Sequence, residues 1–373
     1  VAKIWKEKKM EVSNLTFIVT DDCNFNCSYC FQKKEKKTIA NSTIETAVDF
    51  FYPFFNNNKT HIGFYGGEPL LAYEKIQHTV QLLVEKNKTG NKKIEFSVTT
   101  NGTLLTEKML DFFNCHKFTL ALSFDGLAQD KGRKNGTLGK MLRVMKQIQA
   151  YADIHFEINS VFSPLTITDF SESIRFIIQQ GGPEIMFNIS TIEEWNQSHL
   201  DTLKKELDRL SDFLVLYYKE KGFITVKNFQ FSGGKKERKK GIFRCGAGRY
   251  RMSVTPEGNV WGCSLFHDYF KTRRDDPQYR DYAFGTLTDF ISDFDTRYPK
   301  ILANYSELRQ DYFQVEGEKT DFCFLCEDVE ECMVCPVNEA YSSGSVGKVS
   351  CGRCQLMKIQ GNARRNFIRR VRG

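Results

Sequence analysis

Twelve cysteines lie unevenly along 373 residues, and three of them crowd into "TDDCNFNCSYCFQ" as Cys23, Cys27 and Cys30, spaced CX3CX2C. Thiolates are the usual protein ligands of iron–sulfur cubes. A short loop of this spacing can wrap three corners of one four-iron, four-sulfur cube and leave the fourth iron open. Zinc is a second reading, but it would want a fourth nitrogen or sulfur ligand, and the nearest histidine, His61, lies outside the loop. Three unrelated buried thiols are a third. Eight more cysteines gather late in the chain: Cys245, Cys263, Cys323, Cys326, Cys332, Cys335, Cys351 and Cys354. Cys115 stands apart in a helical pattern and reads as a core thiol.

The elements that must position these groups follow from periodicity. "NLTFIVT" (14–20) reads as a strand by its β-branched and aromatic content, and the triad follows it directly. "STIETAVDFFYPFF" (42–55) reads as a helix, with Ser42 and Glu45 as a capping box. Strands at 61–67, 94–102, 118–126, 155–163 and 183–190 alternate with helices at 71–86, 106–115, 139–152 and 169–181. Six strands alternating with helices predict a parallel sheet with crossover helices. Ligand chemistry in such sheets gathers at the C-terminal strand ends. The triad, "GGEP", "TTNG" and "SFDG" all occupy such ends. From residue 196 the pattern changes to one long amphipathic helix, expected as a bridge, and then to a loop-rich, cysteine-rich stretch with few long apolar periodic segments. The expected division is an extension (1–12), an α/β core (13–195), a bridging helix and linker (196–238) and a cysteine-rich domain (239–373).

Composition narrows the classes. Thirty-two phenylalanines and eight prolines predict a sizeable buried core. No apolar run approaches the ~20 residues of a membrane span, and the start lacks the apolar stretch of a signal peptide. The expected location is therefore cytoplasmic. Twelve cysteines there point to metal binding or catalysis rather than disulfides. The net charge of +7 concentrates in "GGKKERKKGIFR" (233–244) and "ARRNFIRRVRG" (363–373). Neither run interleaves aromatics as a stacking platform would, so the first reads as a solvated loop and the second as a solvated tail helix, and nucleic acid is not the expected partner.

CX3CX2C with Tyr29 between the last two cysteines resembles the radical S-adenosylmethionine enzymes, in which the open iron chelates the methionine moiety. The ordered turns agree with the resemblance. Gly66, Gly67, Glu68 and Pro69 resemble the turn that receives the methionine amino group. Thr100 and Asn101 of "TTNGT", Ser123 and Asp125 of "SFDG", Arg133 and Asn159 resemble the methionine- and ribose-contacting elements. The resemblance covers about residues 13–190. It implies a partial, six-stranded parallel β/α barrel, a bound S-adenosylmethionine, and a 5′-deoxyadenosyl radical shielded from water.

The later cysteines resemble the SPASM extension of peptide-modifying radical enzymes: CX12GX4C from Cys245 to Cys263, then "CFLCEDVEECMVC" and "CGRC". The gap from Cys332 to Cys335 is CX2C where that extension has CX3C, and the end carries two cysteines in place of one. Eight thiolates match two auxiliary four-iron cubes, three in all with the triad's. The resemblance gives Cys323, Cys326, Cys332 and either Cys351 or Cys354 to the distal cube. It gives Cys245, Cys263 and Cys335 to the proximal one, whose fourth ligand is the spare terminal cysteine or none. Zinc remains the alternative for paired CX2C.

The implied activity is maturation of a ribosomally made precursor peptide, by a thioether or carbon–carbon crosslink or by epimerisation. A reductant such as flavodoxin or ferredoxin is implied as a partner. The core begins almost at once, so no N-terminal leader-recognition domain is expected, and a separate leader-binding protein could serve. Two other readings are formylglycine formation as in anaerobic sulfatase maturases and electron transfer without radical chemistry. Sulfatase maturases carry an aspartate directly after the GX4C cysteine; here that position is Ser264, which weighs against the first. A zinc-stabilised nucleic-acid binder would be told apart by metal content.

Overall fold

The structure is a computed structural model that describes residues 10–230, 245–311, 314–315, 332 and 335–372. Cys323 and Cys326, and the basic run at 233–244, lie outside the described residues. The α/β part runs β1 (Asn14–Thr20), α1 (Asn41–Phe51), β2 (Thr60–Gly66), α2 (Tyr73–Gly90), β3 (Ile94–Thr100), α3 (Glu107–Cys115) and β4 (Thr119–Ser123). It continues through α4 (Gln129–Gly132), α5 (Leu138–Gln149), β5 (His155–Phe162), α6 (Phe170–Gln179), β6 (Glu184–Ile189) and α7 (Gln197–Lys221). Then come β7 (Arg251–Val254), β8 (Asn259–Trp261), α8 (Ser264–Phe270), α9 (Tyr279–Tyr282), β9 (Ala283–Thr286), α10 (Leu287–Ser292), α11 (Phe294–Asp311), α12 (Pro336–Ser343) and α13 (Cys351–Arg372). The described chain forms two compact units, each assembled from separate segments: 10–24, 32–99 and 245–307 in the first, and 25–31, 100–230 and the described residues from 308 to 372 in the second.

In the first unit β1 pairs in parallel with β2, and β2 with β3. The other edge of β1 carries β7, also parallel, with Asn14 opposite Arg251. β8 and β9 extend the sheet antiparallel. A strand paired on both edges and covered on both faces reads as a continuous apolar run; Leu15, Phe17, Ile18 and Val19 are all fully buried. Four phenylalanines of this unit join two tyrosines in one aromatic cluster. Phe50 of α1 packs edge-on against Phe290 and Phe294, and Phe284, Tyr298 and Tyr305 stack beyond them.

The capping box expected at Ser42 does not form. Helix α1 begins at Asn41 behind Ala40, which makes no side-chain cap. Glu45 instead reaches His78 of α2 at 3.0 Å, so a side chain that could cap its own helix is drawn to a neighbour. Cys115 is also corrected: it is exposed, because the buried face of α3 carries Leu110 and Phe113 and the cysteine falls off that stripe.

In the second unit β4, β5 and β6 pair in parallel, with Ser123 opposite Asn159. Asn196 caps α7 by accepting from His199 N, and Gly222 ends it in the left-handed region. Leu200, Leu203, Leu207, Leu210 and Leu214 form its buried stripe, and it packs against α6 and α13. The expected fold class holds: mixed α/β with parallel strands β1–β6 separated by helices, followed by a cysteine-containing C-terminal region. Among the described residues no helix is long and apolar enough to cross a membrane.

Candidate active site

The triad sits on a loop that leaves the C-terminal end of β1 and returns beside it. Asp21 N donates to Lys37 O at 3.0 Å and Glu35 N to Asp21 O at 3.2 Å. Thr20 Oγ1 donates to Lys37 O at 2.7 Å. These bonds close a neck between the chain entering the loop and the chain leaving it. Cys23 N is fixed by Asp22 Oδ1 at 2.8 Å, and Cys30 N turns back to Cys27 O at 3.1 Å. All three thiols are half-buried. Three soft donors on one closed loop suit a thiophilic cluster, and the partial exposure suits a cluster that must meet a second ligand.

The glycine turn after β2 is stitched to the chain entering this loop. Gly67 N donates to Thr20 O at 2.9 Å and Glu68 N to Asp22 O at 2.8 Å. Only glycine allows this approach. A Cβ on Gly66, whose φ is +147°, would lie 2.0 Å from Thr20 O, and one on Gly67 would lie 2.2 Å from Asp22 O. Glu68 is buried, and its Oε1 accepts from Leu70 N at 3.1 Å at the turn that begins with Pro69.

In the second unit Asp125, at the end of the "SFDG" strand, is the hub. Its Oδ2 accepts from Tyr29 Oη at 2.6 Å and from Arg133 Nε at 2.9 Å. Its Oδ1 accepts from Arg133 Nη2 at 3.0 Å and from Val161 N at 2.8 Å. The guanidinium lies 5.4 Å from the centre of the Tyr29 ring. Burial pulls the Arg133 pKa down, but the Asp125 charge outweighs it and holds the guanidinium above its ordinary value. Burial also pushes the Tyr29 hydroxyl well up, so this hydroxyl donates a proton and does not ionise. Arg133 Nη2 also reaches Asn159 O at 3.3 Å. Ser28 N and Oγ both meet Gly132 O. The stretch holding Cys27 and Cys30 is thereby anchored to the segment after β4. Thr100 and Asn101 are buried, and their side chains accept from Gly102 N and Thr103 N and shape the turn after β3.

The later cysteines divide between the units. In the first, Cys245 and Cys263 flank the β7–β8 hairpin. Burial, reinforced by the nearby Cys245, pushes the Cys263 thiol up. Gly248 and Gly262 press on the Tyr305 ring, where a Cβ on either would come within 2.6 Å. In the second, Cys335 precedes Pro336 at the start of α12, Cys351 opens α13, and Cys354 N donates to Ser350 O. Cys332, Cys335 and Cys354 are half-buried. A buried ion pair joins α12 to α13: Arg353 Nε lies 2.8 Å from Glu339 Oε1.

The sequence reading missed a polar network in the first unit. Gln32 Nε2 donates to Asp268 Oδ1 and Oδ2 at 3.2 and 3.3 Å. Burial pushes the Asp268 carboxyl up to about 6. Asp21 meets Lys271 at 2.7 Å, with His267 at 3.6 Å. The only local signal was "TDD" before the triad; its partners lie far along the chain.

The Radical SAM superfamily profile matches residues 17–177. A GTP 3′,8-cyclase of Rhizobium etli is 31% identical over 242 residues, covering 60% of this chain and 67% of that protein. The chain belongs to the radical SAM superfamily. The radical SAM cyclopropyl synthase TigE of Paramaledivibacter caminithermalis is 24% identical over 71% of this chain, which spans 60% of that relative's length. A cysteine-type anaerobic sulfatase-maturating enzyme of Clostridium novyi is 25% identical over 56% of this chain and 61% of its own. Among solved radical SAM structures, native anSMEcpe with bound AdoMet and Cp18Cys peptide superposes with a TM-score of 0.74 at 20% identity, covering 97% of this chain and 99% of that one. Streptococcus suis SuiB bound to precursor peptide SuiA superposes with a TM-score of 0.62 at 16% identity, covering 95% and 78%. These structural likenesses show the fold. The C-terminal cysteines of this radical SAM chain follow a SPASM-like pattern.

Proposed function

We propose that the chain is a radical S-adenosylmethionine peptide maturase that forms a thioether or carbon–carbon crosslink in a ribosomally made peptide, or epimerises one of its residues. The observation that carries the reading is the closed loop holding Cys23, Cys27 and Cys30, with the Gly66–Pro69 turn bonded to the segment that enters it. When bound, the cluster and S-adenosylmethionine supply hydrogen-atom abstraction by a 5′-deoxyadenosyl radical. The chain's own residues hold and orient. The three thiols would hold the cluster. Glu68 receives the methionine ammonium by charge pairing. Thr100, Asn101, Ser123 and Asn159 offer polar contacts to the methionine and ribose. Asp125 keeps Arg133 and Tyr29 in place, so a ligand contact by Arg133 falls to its remaining nitrogen. The described auxiliary ligands are Cys245, Cys263, Cys332, Cys335 and Cys354, joined by Cys323, Cys326 and Cys351, for two further cubes. Flavodoxin or ferredoxin supplies the electron. Peptide as substrate is supported by two related structures, one bound to a precursor peptide and one to a Cp18Cys peptide. Similarity to a sulfatase-maturating enzyme favours formylglycine formation, but Ser264 stands where those enzymes carry aspartate.

The test is anaerobic reconstitution with iron and sulfide, which should give about twelve of each per chain. Reduction with S-adenosylmethionine should then release 5′-deoxyadenosine. Replacing Cys23, Cys27 and Cys30 with alanine should abolish that release and leave the auxiliary iron. Undiminished cleavage in the triple variant overturns the assignment.

A further inference from the structure

Lys271 follows α8 directly, and its side chain is 3% exposed. An ammonium so buried persists only where partners replace its water. Its partners all lie at the neck of the cysteine loop. Nζ is 2.7 Å from Asp21 Oδ2, on the chain entering the loop. It donates to Lys33 O at 2.9 Å, on the chain leaving it. Glu35 Oε2 stands at 3.8 Å on the same leaving side. One positive charge therefore ties the two sides of the neck, above the backbone bonds between Asp21, Glu35 and Lys37. Asp21, Glu257 and His267 also bring ligand atoms within 4.8 Å of one another. Lysines already neutralise both carboxylates, Lys271 at Asp21 and Lys37 at Glu257, the latter at 3.0 Å. Each carboxylate of the set therefore already faces a lysine ammonium.

We propose that Lys271 is a positioning residue for the triad: its ammonium staples the neck and holds together the two ends of the loop that carries Cys23, Cys27 and Cys30 before a cluster arrives. This rests on reading the triad as cluster ligands. The backbone bonds alone define a hairpin that can open from its free end. A buried charge shared by both sides makes opening expose Asp21 and Lys271 together. The staple comes from the segment that begins at Cys263, so the C-terminal cysteine region supplies part of the scaffold for the N-terminal one.

The experiment compares the full-length wild type with Lys271→Met, which keeps the stem and loses charge and donors, and Lys271→Arg, which keeps both. In the cluster-free chain, amide exchange at Asp21, Glu35 and Lys37 should speed at least tenfold in Lys271→Met and stay near wild type in Lys271→Arg. After reconstitution, the fraction of the cluster EPR signal that changes on adding S-adenosylmethionine should fall by at least half in Lys271→Met. Iron insensitive to S-adenosylmethionine should be unchanged, and arginine should restore the loss. Unchanged exchange at the neck overturns the staple. Faster exchange with a full S-adenosylmethionine-responsive signal overturns its role in positioning. Should Lys271→Met fail to fold, Lys271→Gln, which keeps a donor for Lys33 O, is read in the same way. If the triple alanine variant of the triad keeps the responsive signal, the failure belongs to the reading of the triad and not to the staple.

Discussion

Asp125 shows how much one carboxylate can organise. Four donors converge on its two oxygens: the Tyr29 hydroxyl, two Arg133 nitrogens and Val161 N. Asp125→Asn keeps one acceptor oxygen but turns an NH2 toward donors and leaves the Arg133 charge buried without its partner. Breaking a buried pair from one side costs about 3–5 kcal/mol, and the denaturant midpoint of the cluster-free chain should fall accordingly. Asp268 tests the opposite case. Burial raises its pKa from 3.8 to about 6, so between these values the folded chain binds more protons than the unfolded one. Stability should therefore fall as pH rises from about 4 to about 6, by at most about 3 kcal/mol, and stay low above that. Asp268→Asn should flatten this dependence; melting temperatures of both cluster-free chains across the window measure it. At this scale the sequence showed names without relations. Cys23, Cys27 and Cys30 were legible because their spacing is local. Asp125 and Arg133 were each singled out, but nothing local joins them to each other or to Tyr29. The Asp21–Lys271 contact was invisible, since its partners lie 250 residues apart in the chain.

Strands β1 to β6 and their helices fell within a few residues of expectation, because each carries a strong period and ends at a glycine or polar turn. The hairpin β7–β8 and strand β9 were missed: three or four residues are too few to show alternation. Helix α11 was missed because its apolar stripe is thin and crossed by charge; of α13 only the tail at 363–373 was expected as a helix, and as a solvated one, whereas Ala363 and Phe367 on it are buried. Helix α13 gives a test of what holds such a helix. Phe367 is fully buried and meets Phe229 edge-on at 5.4 Å. Phe367→Ala should cost about 3–5 kcal/mol. Arg370 pairs with Asp212 at 2.6 Å, but both side chains are about half exposed or more, and such pairs contribute about 0–1 kcal/mol. Arg370→Ala should leave the urea midpoint almost unmoved. Equal losses in the two variants would mean that α13 docks by charge.

At the scale of the molecule, the cysteine-rich region carries part of the fold, strands β7 to β9, as well as the proposed metal ligands. A site absent from the unfolded chain adds its binding energy to folding. On the proposed ligand sets, replacing Cys323, Cys326 and Cys332 together with alanine should remove about four irons per chain. It should lower the melting temperature and abolish peptide modification, while 5′-deoxyadenosine release survives. Fully modified peptide from that variant would show that the auxiliary clusters are dispensable for turnover. The sequence could not show which segments fold together, because each compact unit draws on stretches far apart in the chain.

Strand β1 has one more consequence, in the order of synthesis. Its partner β2 is made soon after it, but its other edge waits for β7, with Asn14 opposite Arg251. At typical elongation rates the wait is on the order of tens of seconds. Throughout that time the nascent chain shows an apolar strand with unpaired amides and carbonyls, a template for wrong pairing. Expression yield of this protein is thus tied to how the host shelters an unfinished chain, and slow translation between β2 and β7 lengthens the exposure.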